Sequence, residues 1–372
     1  MIWNRSWDGG FAIGWDGRCS HPGTNQAAAD CINLLEEKLM NNHSEKFLNA
    51  AGLSAVCAAL VCAPAAAQDA AANYPSKAVT FISPFVPGGT TDKGARLYGH
   101  KLSESLGKPF VVDFKPGAGA TVGANYVAKA APDGHTLLIT SAAYTITAAT
   151  YKNLPYDPIK DLAPVSLTLK RPSLLMVHPS VPVTNYAEYI AYAKANPGKL
   201  NFGTTGMGGS YHIAGAWLHG ATDTKVTFVH YKGAALLFTD QVAGRVHVSP
   251  ASIFNALPFI KSGKTRAIFM ISGERSALMP DLKTVAEQGI PGFDYSAWEG
   301  IFTAAAVSPA IVNKLAAEFG KIAKMPDVIN MFKNDGTIMV GSSAPEFRKH
   351  VITEITRWKK VVQDHDIKTA EE

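Results

Sequence analysis

Residues 162–182, "LAPVSLTLKRPSLLMVHPSVP", break an otherwise regular alternation of strand and helix. Apolar and β-branched residues make the stretch extended, but Pro164, Pro172, Pro179 and Pro182 make it too irregular for one more strand-helix unit. Ahead of it, "AVTFISPF" (78–85), "FVVDF" (110–114) and "HTLLITS" (135–141) read as strands. They alternate with helices "TDKGARLYGHKLSESLG" (91–107), closed by Gly107, and "TVGANYVAKA" (121–130). Behind it the alternation restarts: helix 185–198, strand "LNFGTT", helix "SYHIAGAWLHG", strand "KVTFVHY", helix "ALLFTDQVAG", strand "RVHVSPA", helix "IFNALPFIKSG", strand "TRAIFMIS" and helix "LKTVAEQG". A second extended stretch, "FDYSAWEGIFTAAAVS" (293–308), precedes three closing helices.

Short apolar strands alternating with helices predict an α/β fold, with parallel sheets covered on both faces. Two such sets joined by two extended stretches mean that the chain crosses between lobes twice. The expected arrangement is two doubly wound α/β domains joined by two crossover strands, domain 1 holding 74–175 plus 296–372 and domain 2 holding 176–295. The cleft between them is the default site, and hinge closure the natural motion.

The chain has 372 residues, 47% hydrophobic and 17% charged, enough for two domain-sized cores. Residues 1–39 show no sustained periodicity and read as a mis-assigned upstream extension. From Met40 a short polar start, an apolar run from Phe47 to Ala63 and the small residues Ala65-Ala66-Ala67 fit a signal peptide over 40–67, cut after Ala67. The apolar run is shorter than the roughly 20 residues that span a bilayer. All four cysteines precede that cut, so the mature chain would hold no disulfide, thiolate metal site or cysteine nucleophile. It would carry 31 basic and 24 acidic residues, a net charge of +7 that suits anions. The basic residues are scattered singly, with no basic block or aromatic-basic stripe, so no nucleic-acid partner is expected.

Two glycine-rich corners stand out. "PFVPGGTTD" (84–92) follows the first strand and opens a helix, where free backbone N–H groups and the helix dipole attract anions. Thr90 and Thr91 add hydroxyl donors; Asp92 either caps the helix or touches ligand. "FGTTGMGGSYH" (202–212) is its counterpart in the second lobe, and the two would grip an anion from both sides. His212 falls in the first helical turn there. A third segment, "KPGAGATVGA" (115–124), is spaced G-x-G-x-x-x-G and lacks the acid that meets a ribose, so it reads as a packing corner. No G-x-S-x-G elbow, H-E-x-x-H pair, S-x-x-K motif or Walker loop occurs, and the dispersed histidines make no metal site.

These residues, with "GKPFVVDFKPGAGATVGA", "APDGHTLLI", "ANPGKLNFGTTGMGGSYHIAG", "HYKGAA", "SGKTRAI", "TVAEQGIPGF", "AWEGIF" and "EITRWKKVVQDHDI", resemble the Bug family, the TctC-like solute-binding receptors of tripartite tricarboxylate transporters. The similarity runs from Tyr74 to about Ile367. It implies a two-lobed periplasmic binding protein of type II, a Venus flytrap without catalysis or cofactor, acting as a monomer. Its implied partners are a small carboxylate and the membrane subunits of such a transporter, or a sensor kinase. The resemblance carries binding onto Phe85, Gly88, Gly89, Thr90, Thr91 and Asp92, and onto Thr204, Thr205, Gly206, Gly209, Ser210 and His212. Ser141, Ala142 and Tyr144, with Ser252 and Phe254, match the far end of the pocket. The usual "PYKG" reads "HYKG" here, placing His230 where the family has proline, and the acid often found near Ser249-Pro250-Ala251 is absent. With Tyr144, Tyr211, His230, Phe254 and Trp298 near the expected cleft, a flat aromatic acid is one candidate ligand. A secreted two-domain enzyme acting on a small acid, and an orphan receptor used in signalling, are the alternatives.

Overall fold

The computed structural model describes residues 71–334, 336–365 and 367. The upstream extension, the signal peptide and all four cysteines lie outside the described residues.

The first sheet is built from β1 (Val79–Ser83), β2 (Phe110–Phe114), β3 (Thr136–Ser141), β4 (Leu162–Arg171), β10 (Ala297–Ala304) and β11 (Ile338–Met339) in the order β11-β4-β10-β3-β1-β2. Its helices are α1 (Thr90–Leu106), α2 (Thr121–Ala128) and α3 (Ala143–Thr150), joined late in the chain by α8 (Pro309–Ile322), α9 (Pro326–Phe332) and α10 (Ala344–Asp364). The second sheet takes β5 (Ser173–Val177), β6 (Asn201–Thr204), β7 (Thr227–His230), β8 (Val248–Ser252) and β9 (Arg266–Met270) in the order β7-β6-β8-β5-β9. Around it run α4 (Tyr186–Ala195), α5 (Ser210–Ala221), α6 (Ala234–Val242) and α7 (Ile253–Lys261).

Each sheet is mixed rather than wholly parallel. β1, β2 and β3 run parallel, and so do β6, β7 and β8, but the extended stretches enter as antiparallel strands. β10 lies antiparallel between β3 and β4, and β5 antiparallel between β8 and β9. The prolines that made 162–182 look irregular fall where a ladder tolerates them. Pro164 sits opposite Phe302, beside a register shift between Ile301 and Phe302, and Pro172 separates β4 from β5 as the chain changes sheet.

Alternate residues of β3 serve two cores, as expected of a strand covered on both faces. Leu137 and Ile139 pack with Val79, Phe81, Tyr98 and Phe319, whereas Leu138 packs with Ile82, Ala124, Phe302 and Phe347. A third core, with Phe202, Trp217, Leu237, Val248 and Phe269, fills the second lobe. The long α10 joins both: Phe347, Val351 and Ile355 belong to the first lobe, Trp358 and Val361 to the second. The helix expected at "LKTVAEQG" is instead extended, with Met270 N donating to Lys283 O and Val285 N to Met270 O. Only Ala286–Gln288 turns, as a 3-10 helix. Fully buried Val285 joins the second lobe's core by this edge pairing, which outweighs local helix preference.

Candidate functional site

β1, β3, β6 and β8 all end towards one cavity of about 200 Å³ between the two sheets. The chain then turns directly into α1, α3, α5 and α7, so four helix N-termini meet there. Thr90 and Thr91 represent α1, Ser141, Ala142 and Ala143 represent α3, Thr205, Ser210 and Tyr211 represent α5, and Ser252 and Asn255 represent α7. Arg171, Tyr295, Ala297, Trp298 and Glu299 complete the lining from the two crossovers. A larger depression of about 590 Å³ lies on the second lobe, bordered by Pro179, Ile260 and Leu278. It adjoins the C-terminal end of α7, where no helix N-terminus supplies donors.

The α1 corner is held open by its own side chains. Gly88 has φ +87°, and its N–H donates to Asp92 Oδ2 at 2.9 Å. Arg96 Nε lies 2.8 Å from the other oxygen, an ion pair without hydrogen-bond alignment. Buried Asp92 therefore shapes the loop and does not line the cavity. The α5 corner follows the same design. Gly209 N donates to Gly206 O at 3.2 Å, and Gly208 N to His212 Nδ1 at 3.1 Å. Burial, then the neighbouring His230, pushes the His212 pKa down to about 4, which keeps Nδ1 an acceptor.

α1 and α5 begin at Gly89 and Gly209, neither of which supplies a side-chain cap. At α3 and α7 a serine hydroxyl accepts from a first-turn amide, Ser141 from Ala143 N and Ser252 from Asn255 N, each at 3.4 Å. Elsewhere α4 and α10 are capped by Asn185 and Ser343, whereas α2, α6, α8 and α9 have no side-chain cap. A helix start without a cap leaves N–H groups free for water or an anion.

Of the residues named from sequence, Thr90, Thr91, Ser141, Ala142, Thr205, Ser210, Tyr211, Ser252 and Trp298 line the cavity. Gly88, Gly89, Gly206, Gly209, Asp92 and His212 form the corners behind it. Thr204 is fully buried, its Oγ1 2.6 Å from His230 Nδ1 at the end of β7, and neither residue lines the cavity. Tyr144 is likewise buried, donating its hydroxyl to Pro158 O at 2.6 Å and packing on Tyr156 and Phe302. Phe85 and Phe254 lie outside the lining, Phe254 with Lys93 Nζ 6.0 Å from its ring centroid.

Arg171, Asn255, Tyr295 and Glu299 were not singled out. Glu299 is 1% exposed inside an apolar strand, and both carboxyl oxygens lack a partner among the described residues. Burial raises its pKa to about 8, although nearby Arg171 pulls the other way. It presses so closely on Gly94 of α1 that a Cβ there would overlap its carboxyl group. No trio of His, Cys, Asp or Glu among the described residues could hold a metal ion.

Residues 95–367 match the family model described as the tripartite tricarboxylate transporter family receptor, TctC. The chain belongs to this family. A protein of the tcbD-tcbE intergenic region of Pseudomonas sp. strain P51 is 35% identical over 294 residues, covering 78% of this chain and 87% of its own. BugT of Bordetella pertussis is 31% identical over 301 residues, covering 80% and 92%. Among solved structures, an R. palustris protein with adipate has a TM-score of 0.71 at 32% identity, covering 79% of this chain and 99% of that one. MatC of Rhodopseudomonas palustris with bound malate has a TM-score of 0.68 at 31% identity, covering 78% and 100%. The receptor is thus a two-lobed α/β solute-binding protein of type II and not an enzyme. No helix among its described residues is long and apolar enough to cross a membrane.

Proposed function

We propose that the receptor is exported to the periplasm, captures a small aliphatic dicarboxylate between its lobes and presents it to the membrane subunits of a tripartite tricarboxylate transporter. The observation that carries this reading is the meeting of four helix N-termini, two of them without side-chain caps, on one cavity. Each helix start contributes roughly half a positive charge, and its free N–H groups point at a bound anion. The volume falls below the ~300–1,000 Å³ of pockets for drug-sized molecules, which favours an acid of few carbons. The adipate and malate held by two family members support the aliphatic diacid class. Of the five aromatic side chains expected near the cleft, Tyr211 and Trp298 line it, and Tyr295 adds a third ring to the wall.

A melting-temperature panel tests the proposal, with succinate, malate, adipate, citrate, benzoate and phthalate added to the mature chain. Aliphatic diacids in hundredfold excess over Kd should add about 2.7 kcal/mol of stability, several degrees of melting temperature. A response to aromatic acids alone would overturn the ligand class, and no response to any carboxylate would overturn the function.

A further inference from the structure

Resting on that reading, the geometry points to Arg171 as the anchor for the second anionic group of the ligand, so that the cavity selects doubly charged acids over singly charged acids of the same length. Arg171 closes β4 one residue before the Pro172 crossover, so it stands at the hinge and lines the cavity. The guanidinium makes no ion pair or side-chain hydrogen bond among the described residues. Of the other described arginines, Arg96 is committed to Asp92, Arg245 to Asp240, Arg266 to Val183 O, Arg275 to Glu287 and Arg357 to Glu354 and Asp294, while Arg348 is exposed to solvent. Arg171 is half-buried and without a counter-charge, and a bound carboxylate would meet its guanidinium with bidentate geometry.

Glu299, the acid on which this cation acts, does not compensate it. Glu299 is packed against Gly94 of α1, with both oxygens buried and unpartnered, and it makes no ion pair with Arg171. The other titratable group facing it is Tyr98 of α1, which burial keeps protonated; from β4 it meets Arg171. Thr168 of β4 donates only to the Glu299 main-chain carbonyl, at 3.0 Å, and Ser141 of β3 is its uncharged register neighbour. Near neutral pH the Glu299 carboxyl is therefore uncharged, and the cavity presents a full positive charge in addition to its helix ends. One ligand carboxylate meets the N–H groups of α1 and α5, and the other meets Arg171. As pH rises through about 8 Glu299 ionises and competes with the ligand for that charge, so diacid affinity should fall.

Titration calorimetry with a diacid and its monoamide, equal in length and differing by one charge, tests the assignment. The wild type should prefer the diacid. R171Q should lose about 30-fold or more in diacid affinity, with less than about threefold change for the monoamide, and R171K should recover part of the preference. Unliganded melting temperatures show that each variant is folded. Diacid affinity of the wild type should fall by up to about tenfold per pH unit above 8, and E299Q should flatten that fall. Equal losses for diacid and monoamide in R171Q, or an unchanged pH profile in E299Q, would overturn the assignment while leaving the receptor reading intact. A wild type that binds neither compound would overturn both.

Discussion

At the scale of single residues, the corners at 86–92 and 205–212 show how little chemistry the protein places directly on its ligand. Asp92 and His212 each bind the N–H of a glycine four residues earlier, fixing a loop whose free donors then face the cavity. That role was open to Asp92 from sequence, because an acid in a first helical turn complements the dipole wherever it points. Arg171 and Glu299 were harder to see. Arg171 sits in an irregular proline-rich stretch where a cation looks like surface, and Glu299 is a lone acid in "AWEGIF", a pattern whose meaning depends on what α1 packs against it. Gly94 leaves the space that the Glu299 carboxyl fills. Gly94→Ala should therefore destabilise the fold by about 1–3 kcal/mol through overpacking, read by urea denaturation. An unchanged midpoint would mean that Glu299 has room to move.

Helices with clear caps and stops were legible: α1 ends at Gly107 in the left-handed conformation, and α8 begins at Pro309 after Ser308. The crossovers were legible only as extended, because whether an extended stretch pairs depends on partners far along the chain, as β4 does with β10 more than a hundred residues later. α10 links the cavity wall to both lobes. Its Glu354 is 3% exposed and accepts from Trp298 Nε1 at 3.4 Å and Trp358 Nε1 at 3.0 Å, while pairing with Arg357. Arg357 also reaches Asp294, 3.4 Å away at the return crossover. Removing the carboxylate leaves Arg357 and two indole N–H groups short of a partner. Glu354→Ala should cost about 3–5 kcal/mol in chemical denaturation; a loss below about 1 kcal/mol would show that α10 does not depend on this hub.

For the whole molecule, the break in alternation at 162–182 was enough to give two α/β lobes with a cleft between them, since only a chain that leaves one core and returns needs two such stretches. Strand order and the mixed direction of each sheet lay beyond sequence, being set by which edges the crossovers find free. The lobes matter to function because their strand ends face one space, so that loops far apart in the chain become a single anion site. A crystal structure grown with a bound aliphatic diacid tests this most directly. Density should show one carboxylate within hydrogen-bonding distance of the first-turn amides at Thr91 and Ser210, and the other on the Arg171 guanidinium. A diacid bound outside the cleft, or one whose carboxylates approach neither helix start, would contradict the account.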